Sequence, residues 1–211
     1  WGKPDFFDQV KTGALAARQN VAVLDMTSFG KIDVMGKDAL DLLQMLAISN
    51  VDRPLGSLVY TQFLNETAGI ESDVTVCRIA KDHFRIISGT SFVSNDIGWI
   101  KMHAQMGKDV TIKDVTDEFA CLSLFGPNAR KVFEKVTFDD VSNKAFAYLT
   151  AKNIHIQGVN VWAQRVSYTG ELGWGLYMKN EDALKVWDAI MDSGKQFDIT
   201  PIGYKALDGL R

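Results

Sequence analysis

The stretch 58–79, LVYTQFLNETAGIESDVTVCRI, limits the possible folds more than any other, because its residues alternate as a β-hairpin requires. Both arms are rich in β-branched and aromatic residues, and Asn65-Glu66-Thr67-Ala68-Gly69 between them has turn composition. Taking residues 66–69 as a four-residue loop sets Asn65 opposite Ile70, Gln62 opposite Asp73 and Tyr60 opposite Thr75. Side chains alternate in direction along a strand, so Tyr60, Gln62, Asp73 and Thr75 share one face. Val59, Thr61, Phe63, Ser72, Val74 and Val76 share the other. One face is mostly apolar; the other gathers a carboxylate, a phenol and an amide as diagonal neighbours. The same alternation also suits a half-buried hairpin whose polar face simply meets water.

Around this hairpin the pattern predicts helices over 4–19, 37–48, 91–106 (ending at Gly107) and 180–191. Asn180 is read as an N-cap and Gly194 as a stop. Gly126-Pro127-Asn128 opens a further helix with Pro127 in its first turn, and Thr200-Pro201 opens a last one carrying Tyr204, Leu207 and Leu210. Strands are predicted over 21–26, 31–36, 83–89, 110–116 and 121–126, and residues 152–178 read as a three-stranded meander. Strands and helices alternate irregularly with several hairpins, so the class is α+β. Two strand-helix-strand groupings suggest a diverged duplication.

At 211 residues the chain can bury a substantial core as one domain or two small lobes. A net charge of −3 with interleaved signs lacks the basic stripe of a nucleic-acid surface. No run of about 18 apolar residues marks a membrane helix. Cys77 and Cys121 lack disulfide-framework spacing and suit a reducing compartment. The chain opens at Trp1 rather than Met, which reads as a piece of a longer polypeptide. No G-x-G-x-x-G follows a strand, and no G-x-S-x-G, P-loop or H-E-x-x-H is present. His83, His103 and His155 are far apart without a cysteine or carboxylate cluster, so no metal site is expected. What remains is Asp73 in its strand, the turn Tyr168-Thr169-Gly170-Glu171-Leu172-Gly173-Trp174, and Pro201 to Arg211.

VAVLDMTSFGK, YTQFLNETAGIESDVTV, LFGPNARKV, RVSYTGELGW and PIGYKALDGLR, in this order, resemble the tetrahydrofolate-binding aminomethyltransferase family. That family includes the T component of the glycine cleavage system and the C-terminal halves of dimethylglycine and sarcosine dehydrogenases; VDRPLGSLVYT and GIESDVTV look most like sarcosine dehydrogenase. The resemblance covers nearly all of residues 1–211 as one folate-binding region. It implies α+β lobes around a central folate pocket, with a downstream C-terminal β-barrel and, in the dehydrogenases, an upstream FAD domain, both absent from this chain. It further implies tetrahydrofolate as cofactor and a one-carbon donor derived from a methylated amine. The partner would be an FAD-dependent oxidase half, and the location bacterial cytoplasm or mitochondrial matrix.

Carried over residue by residue, Asp73 matches the family's catalytic aspartate, Tyr60 a pocket tyrosine, and Tyr168 the tyrosine that hydrogen-bonds near the aspartate and folate. Gln62, Asn65, Thr75 and Glu171 are the accompanying candidates for binding the cofactor. The chemistry suits these roles. Moving a one-carbon unit onto folate has a secondary amine attack an iminium or aminal carbon. A placed carboxylate can take the amine's proton and stabilise developing positive charge.

Two positions depart from the pattern. Gly175 stands where the family usually has a Glu that reads the pterin ring, and Leu207 stands where the glycine-cleavage members carry an Arg. Leu207 fits the dehydrogenase branch. Three functions stay open: a one-carbon transfer module of a sarcosine or dimethylglycine dehydrogenase-like flavoenzyme, a stand-alone aminomethyltransferase, and a folate-family domain that has lost catalysis.

Overall fold

The computed structural model describes residues 2–105 and 108–211. In chain order its elements are α1 (Phe7–Gln19), β1 (Val21–Asp25), β2 (Gly30–Met35), α2 (Ala39–Leu46), β3 (Leu58–Leu64), β4 (Ile70–Ala80) and β5 (His83–Ser88). They continue with α3 (Val93–His103), β6 (Thr111–Asp114), β7 (Phe119–Phe125), α4 (Ala129–Val136), β8 (Thr150–Ile156) and β9 (Val159–Arg165). The last are β10 (Gly173–Lys179), α5 (Ala183–Gly194), β11 (Ile199–Pro201) and α6 (Tyr204–Leu210). The class is α+β, as the alternation of periods requires.

The chain divides into two units. Ser28–Phe119 forms one; Trp1–Thr27 together with Ala120–Arg211 forms the other. The first unit is a five-stranded sheet in the order β3-β4-β5-β2-β6. Helices α2 and α3 bury Leu42, Leu43, Leu46 and Ile100 against Ile32, Val34, Phe63, Val74, Val76, Phe84 and Ile86. The second unit is a six-stranded sheet, β11-β1-β7-β10-β9-β8. Its main core gathers Val132 and Phe133 of α4 and Val186 and Ile190 of α5 with Trp174, Leu176 and Val161. A smaller cluster joins Ala17 of α1 and Leu207 and Leu210 of α6 to Ala22, Leu24 and Phe125.

Both units repeat one plan of strand, helix, three-stranded antiparallel meander and helix, which supports the duplication that the sequence suggests. The repeat extends to backbone detail. Gly36 before α2 and Gly126 before α4 have φ of +120° and +126°. A Cβ on Gly36 would stand 2.1 Å from the Asp109 carbonyl oxygen, and one on Gly126 2.8 Å from that of Asn20. Those carbonyls accept the amides of Asp38 and Asn128, two residues on. Only glycine tolerates that combination of dihedral and approach.

Several boundaries differ from the sequence pattern. α1 starts at Phe7, after a turn in which Phe7 N donates to Pro4 O. α2 and α4 begin two residues past the expected starts because the glycine turns occupy 36–38 and 126–128, so Pro127 lies just outside its helix. The expected end of the 91–106 helix at Gly107 lies outside the described residues, and α3 itself runs to His103. Asn180 opens a 3₁₀ turn instead of capping α5 with its side chain. Gly194 does not stop the chain: a 3₁₀ turn continues to Phe197, and Asp198 takes the left-handed conformation, φ +54°. Residues 199–201 form a strand parallel to β1, where the sequence pattern places the start of a helix. Pro201 is tolerated because β11 is an edge strand.

The face of the first sheet opposite its helices carries buried charge. Arg85 Nε and Nη2 donate to Asp33 Oδ1 and Oδ2 at 2.7 and 2.9 Å, and His83 Nε2 lies 3.0 Å from Oδ2. Burial pushes the Asp33 carboxyl up, but Arg85 and His83 outweigh it and hold it below the ordinary 3.8. Lys31, fully buried, donates from Nζ to the carbonyls of Phe29 and Thr116. Arg85→Met strands a buried carboxylate and is expected to cost about 3–5 kcal/mol by urea denaturation at neutral pH. A lowered carboxyl stabilises fully above its ordinary value and loses that contribution as pH falls through its folded value. The gap between parent and variant should therefore shrink on acidification below 3.8; a gap constant with pH contradicts the ion-pair account.

Candidate functional site: the Asp73 hairpin and the Tyr168 loop

The β3–β4 ladder pairs Gln62 with Asp73 and Tyr60 with Thr75, the register expected from alternation. Their side chains leave the face opposite α2 and α3, while Phe63, Val74 and Val76 enter the core beneath those helices. The loop end differs from expectation. A register shift between Phe63 and Leu64 pairs Leu64, not Asn65, with Ile70. Asn65 instead builds the turn: its Oδ1 accepts Thr67 N, Thr67 Oγ1 and Gly69 N, and its Nδ2 donates to Glu71 Oε1. Its amide is thus spent within the turn, on two loop amides, the Thr67 hydroxyl and the Glu71 carboxylate, rather than presented on the polar face.

Asp73 is clasped from the neighbouring strand. Tyr60 Oη donates to Oδ2 at 3.0 Å and Gln62 Nε2 donates to Oδ1 at 2.9 Å. Both carboxylate oxygens are therefore oriented, and each keeps acceptor capacity, since a carboxylate offers about four lone-pair sites. Among the described residues no Lys, Arg or His forms an ion pair with Asp73. Asp73 is exposed, Tyr60 is 59% exposed, and Thr75 is half-buried beside them. The arrangement is an exposed carboxylate oriented by two donors, with acceptor capacity to spare. Sequence reasoning found it because hairpin register and face follow directly from period-two alternation.

Tyr168 and Glu171 belong to the other unit, in the loop between β9 and β10. Tyr168 is 47% exposed, and the Arg211 guanidinium lies 4.7 Å from its ring centroid. Arg18 fixes this loop. Its Nη1 donates to the Thr169 carbonyl (2.7 Å) and Glu171 Oε1 (2.8 Å), and its Nη2 donates to the Leu210 carbonyl (2.8 Å). Glu171 is accordingly an ion-pair partner of Arg18. Nothing in the local sequence around Arg18 announces that role, which joins α1, the loop and the end of α6. Gly170 turns the loop at φ +81°.

Gly175, on β10, pairs across the sheet with Gln164. A Cβ at Gly175 would meet the Tyr177 ring at 3.2 Å, so that ring already covers the place where a side chain would leave the strand. Gln164 is 1% exposed, and its Nε2 is buried with no acceptor among the described residues. A carboxylate at 175 would stand beside that amide; the glycine leaves it unanswered. Leu207 is 2% exposed and packs in the α1–α6 cluster, a setting that suits an aliphatic side chain and would penalise a charge.

The first sheet thus carries an exposed carboxylate, Asp73, oriented by Tyr60 and Gln62. The chain matches the GCVT N-terminal domain over residues 1–211 and belongs to that family, the aminomethyltransferase-like proteins. It is 36% identical to human mitochondrial dimethylglycine dehydrogenase over 99% of its length, covering 24% of that protein. It is 34% identical to 4-methylaminobutanoate oxidase (formaldehyde-forming) of Paenarthrobacter nicotinovorans over its whole length, covering 26% of that protein. The chain thus spans about a quarter of these relatives. In fold it superposes on the glycine cleavage system aminomethyltransferase T from Bartonella henselae with a TM-score of 0.82. That match has 22% identity and covers 96% of this chain and 53% of the other.

Arg18→Ala should release the Tyr168 loop and the end of α6 together. The expected loss is about 1–2 kcal/mol, modest because Arg18 is partly exposed. Amide exchange should accelerate at both 169–172 and 207–210. Acceleration confined to α1 would contradict the clamp.

Proposed function

We propose that this chain is the tetrahydrofolate-dependent one-carbon transfer module of a flavoenzyme of the dimethylglycine or sarcosine dehydrogenase kind. Its donor would be derived from a methylated amine, oxidised by an FAD-dependent half. The observation that carries the reading is the Asp73 carboxylate, oriented by Tyr60 and Gln62 and, among the described residues, in no ion pair. Family membership supports folate as the acceptor. The relatives' names, a mitochondrial dehydrogenase and an oxidase of a methylated amine, support a link to an oxidising half; the location read with it is bacterial cytoplasm or mitochondrial matrix.

The residues present fit tetrahydrofolate at its reacting end. Asp73 would hold the reacting N–H, with Tyr60, Gln62 and Thr75 lining the same face. When bound, tetrahydrofolate supplies a secondary amine that accepts a one-carbon unit. Asp73 takes the proton that this amine sheds. Its direction is set by the phenol on one oxygen and the amide on the other, and the carboxylate stabilises positive charge developing beside it. Tyr168 belongs to the other unit, on a loop braced by Arg18. Gly175, in the other unit, offers no carboxylate where the family pattern has one, and the Gln164 amide paired with it lacks an acceptor among the described residues.

That departure favours a second reading, a family member that binds or docks without catalysing transfer. The buried, apolar setting of Leu207 speaks against the stand-alone aminomethyltransferase reading. Asp73→Ala in the intact protein is expected to lower the yield of 5,10-methylenetetrahydrofolate by roughly 10²–10⁴-fold, the usual worth of one general base. An unchanged yield would refute the role of Asp73, and no tetrahydrofolate-dependent product from the parent protein would favour the second reading.

A further inference from the structure

The position of Asp73 poses a mechanical problem. The β4–β5 ladder runs from Ala80–His83 to Thr75–Ile87 and ends there. Residues 70–74 of β4 continue beyond it, with ladder bonds to β3 alone. Asp73 therefore stands on a strand end that the sheet holds from one side only. A two-stranded ribbon twists and frays readily, and a clasp between Asp73 and β3 does not fix where the ribbon as a whole points.

Something else ties that end down. Asp96, in the first turn of α3, is 1% exposed. Its Oδ1 accepts Ser72 Oγ at 2.7 Å, and its Oδ2 accepts Ser88 Oγ. Ser72 precedes Asp73 on β4; Ser88 is the last residue of β5; both are buried. One carboxylate thus spans the gap where the β4–β5 ladder has stopped. The neighbouring Asn95 donates from Nδ2 to the Glu71 carbonyl at 3.3 Å, a second tether from α3 to the same strand end.

Asp96 has no cationic partner among the described residues. Burying a carboxylate on two hydroxyls is costly, even with the help of a helix N-terminal turn. An apolar residue there would serve core packing better. We infer that Asp96 is a positioning residue for Asp73. By gripping Ser72 and Ser88 it replaces the missing ladder and fixes the β3–β4 end, so that the clasped carboxylate is held where its chemistry occurs. The kinetic part of this inference rests on the role of Asp73 proposed above; the mechanical part does not.

The test compares Asp96→Ala and Asp96→Asn in the intact protein, each alone and on an Asp73→Asn background. Ile100→Ala, a buried residue of the same helix, serves as the control for general destabilisation. Two readouts are taken: amide hydrogen exchange along β4, and transfer to tetrahydrofolate. Asp96→Ala should speed exchange at 71–74 at least tenfold relative to 76–79, which Ile100→Ala should not. It should lower kcat by up to about 10²-fold, the scale of a misplacement near 1 Å, with KM little changed. Asparagine can still accept from one serine and donate to the other, so Asp96→Asn should recover most of the loss. On the Asp73→Asn background, Asp96→Ala should cost nothing further, because two residues acting through one function are not additive.

Equal losses on both backgrounds, or unchanged exchange at 71–74, would overturn the inference. If the parent protein transfers nothing to tetrahydrofolate, the functional reading fails and the exchange comparison alone decides the role of Asp96. Should Asp96→Ala not fold, Ser88→Ala removes one arm of the bridge and must give the same local signature.

Discussion

The register of β3 against β4 is the constraint on which the site depends. It is set by side-chain burial: moving the pairing by one residue would expose Phe63, Val74 and Val76 and drive Tyr60, Gln62 and Asp73 into the core under α2 and α3. The apolar face enforces the polar one. Tyr60 and Gln62 meet Asp73 because Phe63 and Val74 have nowhere else to go. Burial of those side chains is worth about 1.5–3 kcal/mol each, against the much smaller net worth of two exposed hydrogen bonds. Packing therefore decides where the carboxylate sits, and hydrogen bonding decides how it is turned.

The two units solve the same folding problem with different outcomes. Each places a positive-φ glycine before an eight-residue helix and follows it with a three-stranded meander. The first meander carries Asp73 on its opening hairpin. The second delivers Tyr168 from the link between its last two strands, where Arg18 ties the loop to the end of α6. A repeated scaffold thus presents different side chains outside its two cores, the places where function is grafted onto a fold.

What the sequence made legible follows from the range of each interaction. Hairpin register, face assignment and the amphipathic helices depend on neighbours two to four residues apart, and these were recovered with Gln62 opposite Asp73 and Tyr60 opposite Thr75. The turn departs from a four-residue loop because Asn65 folds it with its own side chain and shifts the closing pair to Leu64–Ile70. β11 was missed because three residues ending in proline carry no strand period; only pairing with β1, far away in sequence, makes them a strand. Nothing within a few residues of Asp33, Arg85 or Asp96 marks these charges as buried. Their burial depends on Arg85 meeting Asp33 across β2 and β5, and on Asp96 meeting serines from two strands. Gly175 was visible as a departure, but the Tyr177 ring covering it and the unanswered Gln164 amide opposite were not.

Calorimetric titration with tetrahydrofolate probes the central claim most directly. A face organised by Tyr60, Gln62 and Asp73 to receive the cofactor's amine predicts saturable heat from the parent protein, weakened when Gln62→Ala and Tyr60→Phe remove the groups that turn the carboxylate. No heat at millimolar ligand, or binding indifferent to both substitutions, would contradict it.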